Sequence, residues 1–129
     1  MLTEEKYFEF FNRSNFFDKI FIDNRKNNFF TSISILSKLA RANYDLIIDL
    51  QNSQRTFFYN IYFRIFSSVK ISSSRKFAHY KYNIPEQGSE TTTKGLFNQL
   101  KLLNVKISDD ANYDWLLTKI NDNLSKKLI

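Results

Sequence analysis

Apolar residues along this chain follow two spacings, one typical of helices and one typical of short strands. Segments with helical spacing predict helices at residues 4–11, 29–43, 53–66 and 93–104. Short β-favouring runs between them predict strands at residues 19–22, 44–50 and 69–71, the second of them buried. Residues 72–85 have no clear period and are predicted as serine-rich loop, and one more helix is predicted within residues 113–129.

Helical and strand-like segments alternate for most of the chain. This order is typical of parallel strands joined by right-handed helical crossovers. We therefore predict an α/β fold, a Rossmann-like parallel sheet flanked by helices. With 129 residues the chain suits one domain, which we place at residues 1–117, followed at residues 118–129 by a helical tail or the start of an interdomain linker.

Composition excludes several classes of chemistry. The chain has no cysteine and one histidine, His79, which excludes disulfides, thiolate zinc sites, cysteine nucleophiles and histidine metal clusters. Its only glycines are Gly88 and Gly95. The sequence therefore contains no dinucleotide-binding fingerprint, no phosphate-binding loop and no serine nucleophile elbow, because each of these motifs requires glycines at set positions. We predict no catalytic residue, no metal and no cofactor in this chain.

The distribution of apolar and acidic residues also bears on location. Glu4 and Glu5 precede any apolar stretch, unlike a secretory signal. Asp49, Asn60 and Arg64 interrupt the richest apolar region, which leaves no run long enough to span a membrane. We expect the protein in the cytoplasm.

Positive charge is concentrated in the middle of the chain. The net charge is +6, and no acidic residue lies between Asp49 and Glu86. Six cations lie in that stretch: Arg55, Arg64, Lys70, Arg75, Lys76 and Lys81. Such a stretch attracts phosphate-bearing partners such as nucleic acid, anionic lipid or phosphorylated glycan. The alternative is that these cations form a solvated face that has no partner.

The polar turn after the second predicted strand is the first candidate site, because ligands of parallel sheets gather beyond the carboxyl ends of strands. Gln51 and Asn52 offer amides suited to sugar hydroxyls, and Ser53 caps the next helix. Arg55 suits a phosphate or carboxylate. The alternative is a capped turn in which Asp49 and Gln51 only satisfy the backbone.

A second candidate is the segment 75–82, which interleaves cations with aromatic residues. Such a pattern suits single-stranded nucleic acid, through stacking and charge, or phosphorylated sugars. Its His79 is predicted to be a surface residue rather than a catalytic base.

Residues 44–55, which read YDLIIDLQNSQR, resemble the central strand-turn-helix of glycosyltransferase family 9, the ADP-heptose:lipopolysaccharide heptosyltransferases. That family reads Y-D-L-x-I-D-L-Q-G-x-x-R, so Asn52 stands where the family prefers glycine. The similarity extends over residues 4–117. It implies the N-terminal, acceptor-side half of a GT-B glycosyltransferase, in which a second Rossmann-like domain holds the nucleotide sugar.

The resemblance implies transfer of a sugar to lipopolysaccharide core at the cytoplasmic face of the inner membrane. The expected partners are a phosphorylated lipopolysaccharide acceptor, a nucleotide-sugar donor bound only through a second domain, and peripherally the membrane. From the turn and the acid-free stretch we predict acceptor contacts at Gln51, Ser53, Arg55, Arg75 and Lys76.

The family's first strand, with its acidic base, is expected before Thr3, and neither it nor the donor domain is found in this sequence. The isolated chain is therefore expected to be inactive. Two alternatives remain open: a small basic module that binds nucleic acid through residues 75–82, a less favoured partner, or an inactive remnant of the transferase.

Overall fold

The computed structural model describes residues 1–24, 29–85 and 90–108, which form a mixed α/β fold with small parallel sheets. The α-helices there are α1 (Phe8–Ser14), α2 (Phe29–Arg41), α3 (Gln54–Phe66) and α4 (Thr92–Lys101). The strands are β1 (Leu2–Thr3), β2 (Phe21–Ile22), β3 (Leu46–Ile48), β4 (Lys70–Ser73) and β5 (Tyr80–Lys81). The chain divides into two compact units, residues 1–32 with 108–129 and residues 33–107.

The first unit contains a two-stranded parallel sheet. Leu2 of β1 lies opposite Phe21 of β2, and a 3-10 turn and α1 connect the strands. Helix α1 ends at Ser14 and is capped by Asn15, which adopts the left-handed conformation with φ of 56° that asparagine tolerates. Strand β1 was not predicted: Leu2 and Thr3, just before the helix predicted at residues 4–11, form this strand.

The second unit contains a three-stranded parallel sheet in the order β3-β4-β5. Leu46 lies opposite Lys70, and Ser73 lies opposite Lys81. Helix α3 makes the crossover from β3 to β4, which confirms the predicted parallel α/β arrangement. Among the residues whose burial is described, the buried apolar side chains all belong to this unit: Leu36, Tyr59, Phe63, Val69 and Ile71.

A capping box starts α3 at the predicted residue. Ser53 Oγ accepts a hydrogen bond from the backbone N–H of Thr56 at 3.1 Å, and Thr56 Oγ1 accepts one from the backbone N–H of Ser53 at 3.0 Å. These bonds satisfy backbone donors that the first turn of a helix leaves without partners.

Two sequence predictions fail within the sheet. Strand β5 lies in the segment predicted as loop; there the His79 N–H donates to the Ile71 carbonyl at 2.8 Å. Strand β3 was predicted as buried, yet Leu46 and Ile48 are 37% and 40% exposed, because β3 is an edge strand of this sheet and pairs there with β4 alone. The predicted helix at 113–129 and tail at 118–129 lie outside the described residues.

None of the helices described in residues 1–24, 29–85 and 90–108 combines the length and the apolar character needed to cross a bilayer.

Candidate functional site

The carboxyl ends of β3 and β4 bring two turns together. Residues 49–53 follow β3 and residues 74–79 follow β4, and both turns lie at one edge of the sheet because the strands are parallel. The Asp49 N–H donates to the Ser72 carbonyl at 2.9 Å, which continues the pairing to this edge. We call this region the carboxyl edge.

Asp49 is the buried anion of the carboxyl edge, only 6% exposed. One carboxylate oxygen, Oδ1, accepts from the backbone N–H of Asn52 at 2.9 Å. The other, Oδ2, accepts from Asn60 Nδ2 at 2.9 Å and lies 3.2 Å from the hydroxyl of Ser73. The carboxylate is thus committed to the turn, to α3 and to β4, which leaves it badly placed to take a proton from a substrate.

Asn52 holds the turn through both its backbone and its side chain. Its φ of 51° lies in the left-handed region, which glycine adopts freely and asparagine more readily than other residues. Its Oδ1 accepts from the backbone N–H of Ser74 at 2.7 Å and lies 3.0 Å from Ser73 Oγ. Its Nδ2 donates to Gln99 Oε1 at 2.9 Å. A glycine could supply the backbone conformation but none of these side-chain bonds.

Gln99 connects α4 to the same cluster. Its side chain is fully buried, and Nε2 donates to the backbone carbonyl of Asp49 at 3.0 Å, with the Ser72 hydroxyl at 3.4 Å. Ser72 and Ser73 are fully buried as well. Three elements, β3, β4 and α4, are therefore joined by side-chain amides and hydroxyls.

The buried polar side chains at this edge, which we call the polar cluster, bond to one another and to the backbone. Among the described residues, every buried side-chain nitrogen or oxygen has a hydrogen-bond partner. A satisfied cluster of this kind fixes one arrangement of the backbone, and opening it is costly. A ligand at the carboxyl edge must accordingly be held by the exposed groups around the cluster.

Three of the predicted site residues are exposed at this edge. Gln51 is exposed in the turn after β3, and Lys76 is exposed in the turn after β4. Arg75, also exposed, donates from Nε to the backbone carbonyl of Asn52 at 2.6 Å. This bond fixes the guanidinium of Arg75 against the turn that contains Gln51.

The other two predicted site residues contact α3 itself. The hydroxyl of Ser53 is engaged in the capping box. Arg55 donates from Nε to the hydroxyl of Tyr59, and its guanidinium carbon lies 5.4 Å from the centre of that ring. The structure places both side chains beside the turn, with contacts that hold the start of the helix.

A shallow depression lies next to the C-terminal end of α3. Its volume is about 180 Å³, and its lining residues are Arg64, Ser67, Ser68, Val69 and His79. Arg64 Nη1 lies 2.8 Å from His79 Nε2, and the Ile71 N–H donates to His79 Nδ1 at 3.1 Å. His79 is exposed, in agreement with its predicted surface position. No pattern in the sequence predicted this depression.

Sequence reasoning also missed Gln99, although one signal was present. Leu96 and Leu103 mark the apolar face of the predicted helix, and Gln99 lies on that face, three residues after the first and four before the second. A glutamine on the apolar face means either that this face is wrongly placed on the helix or that the glutamine is buried and has hydrogen-bond partners. Asn60 gave a similar signal among the apolar residues of α3.

Within the described residues, no three histidine, cysteine, aspartate or glutamate side chains are grouped so that they could hold a metal ion.

Comparisons with known proteins return no match to this chain, whether against family models, curated proteins or solved structures.

Proposed function

We propose that this chain is the acceptor-side part of a sugar-transferring enzyme of the heptosyltransferase kind, with the carboxyl edge as its acceptor surface. The observation that carries the proposal is the backbone of Asn52. It stands at the position where the family 9 motif has glycine, and its φ of 51° is one that glycine adopts freely. The one departure from the motif therefore keeps the backbone conformation that the glycine would allow.

The exposed groups at this edge match the chemistry of a phosphorylated sugar. The side-chain amide of Gln51 can donate to and accept from hydroxyl groups, and the guanidinium of Arg75 can bind phosphate in a bidentate manner. Lys76 adds a second positive charge. Ser53 and Arg55 support this surface from the start of α3.

Transfer requires a base that deprotonates the acceptor hydroxyl, which then attacks the anomeric carbon of the donor while the nucleoside diphosphate leaves. Asp49 is not our candidate for that base, because its carboxylate is buried and accepts hydrogen bonds at both oxygens. The proposal assigns acceptor binding, and not proton transfer, to the described residues. Binding is therefore the property to test.

Titration calorimetry with the 129-residue chain tests the proposal. The ligands are a phosphorylated lipopolysaccharide core oligosaccharide, the same oligosaccharide after phosphatase treatment, and a single-stranded oligonucleotide. We expect the phosphorylated glycan to bind best. Arg75→Ala with Lys76→Ala should weaken its binding about tenfold or more, since two charge-assisted contacts are lost.

The matched control removes two exposed lysines from α4, Lys94→Ala with Lys101→Ala. Neither is a predicted acceptor contact, so affinity for the glycan should stay within about twofold. Tighter binding of the oligonucleotide than of the glycan would overturn the proposal in favour of a nucleic-acid-binding module.

A further inference from the structure

The outer face of α3 carries large apolar side chains that the described residues leave uncovered. Phe58, Ile65 and Phe66 are 59%, 67% and 64% exposed. Their spacing of seven and eight residues places them on one side of the helix, together with Tyr62. The ring centres of Tyr62 and Phe66 lie 4.7 Å apart. The exposed side chains thus lie along one side of the helix, in a strip, and are not scattered around it.

The turn after β4 extends this strip. Phe77 is 63% exposed, and its ring stacks on Phe57 with centres 6.4 Å apart, while Phe57 in turn lies 5.9 Å from Phe58. The φ of Phe77 is 69°, in a region where a bulky residue is strained. Backbone strain that presents an exposed ring is a mark of functional surfaces.

We name Phe58, Ile65, Phe66 and Phe77 the apolar patch. At roughly 100 Å² for each side chain, the patch exposes on the order of 400 Å², within the range where exposed apolar surfaces mark interaction sites. A partner is expected to cover it.

Positive charge adjoins the apolar patch along the chain. Arg64 precedes Ile65, and Lys76 precedes Phe77. Both belong to the stretch between Asp49 and Glu86 that has no acidic residue. The depression lined by Arg64, His79 and two serine hydroxyls lies directly after this part of α3. An occupant of the patch therefore combines apolar groups with negative charge.

Among occupants of that chemistry, a lipid surface fits best. A second copy of this chain would place like charges opposite each other, which disfavours association. Single-stranded nucleic acid binds through stacking on aromatic rings, and Ile65, the most exposed member of the patch, offers no ring. Apolar side chains that enter a bilayer, flanked by cations at the level of the headgroups, are the usual arrangement of interfacial helices.

We propose that α3 and the turn after β4 dock on the surface of a bilayer that contains anionic phospholipid. Phe58, Ile65, Phe66 and Phe77 enter the boundary between headgroups and acyl chains, and Arg64 and Lys76 meet the lipid phosphates. This inference rests on the apolar patch and its charges, and it stands whether or not the chain binds a glycan acceptor.

Vesicle flotation with the full chain tests docking. Vesicles of phosphatidylcholine alone are compared with an equimolar mixture of phosphatidylcholine and phosphatidylglycerol. We expect binding to the mixture to be about tenfold stronger or more, because the proposal places two cations, Arg64 and Lys76, near the surface. Ile65→Ser should lower the partition coefficient on the mixed vesicles about tenfold, through the loss of buried apolar area.

The matched control is Ile84→Ser, the same change at a residue that is 68% exposed but lies outside α3 and outside the turn after β4. It should bind the mixed vesicles as the original chain does. Circular dichroism of both variants checks that the fold is retained.

Three results would each overturn the proposal. The first is an equal effect of Ile65→Ser and Ile84→Ser on vesicle binding. Sedimentation velocity could show a dimer that Ile65→Ser dissociates, which would assign the patch to a second copy. Soluble glycerol phosphate could displace the chain from vesicles at equal phosphate concentration, which would leave only anion binding. Failure of glycan binding at the carboxyl edge would not affect the result.

Discussion

At the carboxyl edge polar side chains are buried and each has a partner, whereas on the outer face of α3 large apolar side chains are exposed to solvent. Both arrangements are unfavourable for an isolated residue, since burial penalises polar groups and water penalises apolar ones. At the edge the compensation comes from within the chain, through Asp49, Asn52 and Gln99. On α3 the described residues supply no such compensation, and we propose that a lipid surface does. Changes to the buried polar groups at the edge should therefore alter stability, and changes to the exposed apolar groups on α3 should alter vesicle binding.

The largest effect on stability is expected at Asp49. Asp49→Ala leaves the Asn52 N–H and the Asn60 amide without their carboxylate acceptor, whereas the Ser73 hydroxyl keeps Asn52 Oδ1 as an acceptor. We expect a loss of about 3 kcal/mol or more in the free energy of unfolding, measured by urea denaturation. Asp49→Asn keeps one acceptor oxygen and should lose less. A loss below about 1 kcal/mol for Asp49→Ala would contradict the hydrogen bonds of the polar cluster.

A smaller loss is expected at Gln99. Gln99→Leu keeps a similar volume but removes the acceptor of the Asn52 amide and the donor to the Asp49 carbonyl. Two buried groups are left without partners, at a cost of about 2 kcal/mol. Urea denaturation checks this value, with Lys101→Ala at the exposed end of α4 as the control, which should stay within about 0.5 kcal/mol of the original chain. A neutral Gln99→Leu would show that the buried glutamine contributes nothing.

Asn52 separates the backbone contribution from the side-chain contribution. Asn52→Gly keeps the left-handed conformation and loses the side-chain bonds, whereas Asn52→Ala loses both. We expect Asn52→Ala to be less stable than Asn52→Gly by about 1 kcal/mol, the usual penalty for a Cβ in the left-handed region. Thermal unfolding of the two variants measures this difference. Equal stability would remove the argument that this turn needs a glycine-like backbone.

At the carboxyl edge, the sequence predicted the contacts between nearby residues better than the contacts between residues far apart in the chain. Ser53 as a cap and the turn after β3 follow from neighbours within a few residues, so the pattern was sufficient. The partners of Asp49 in α3, β4 and α4 lie 11, 24 and 50 residues away. Those contacts depend on the assembled fold, and the sequence offered only the unexplained polar residues Asn60 and Gln99.

Strands β4 and β5 show why the serine-rich segment was misread. Ser72 and Ser73 have the composition of a loop, yet both are fully buried in β4. Their hydroxyls are satisfied by Gln99 and by the groups around Asp49, which removes the penalty that normally excludes serine from a buried strand. Strand β5 then pairs with β4 over only two residues, too few for a periodic signal.

The smallest effect on stability is expected for changes on the outer face of α3. This small effect contrasts most strongly with the large loss expected at the carboxyl edge. Phe58 and Ile65 are already exposed, so Phe58→Ser with Ile65→Ser should change the free energy of unfolding by less than about 1 kcal/mol. Urea denaturation of this double variant and of Asp49→Ala, together with vesicle flotation of both, makes the comparison complete. A strongly destabilised double variant would mean that the apolar patch packs within the chain, and the distinction between an internally satisfied edge and an externally satisfied helix face would be wrong.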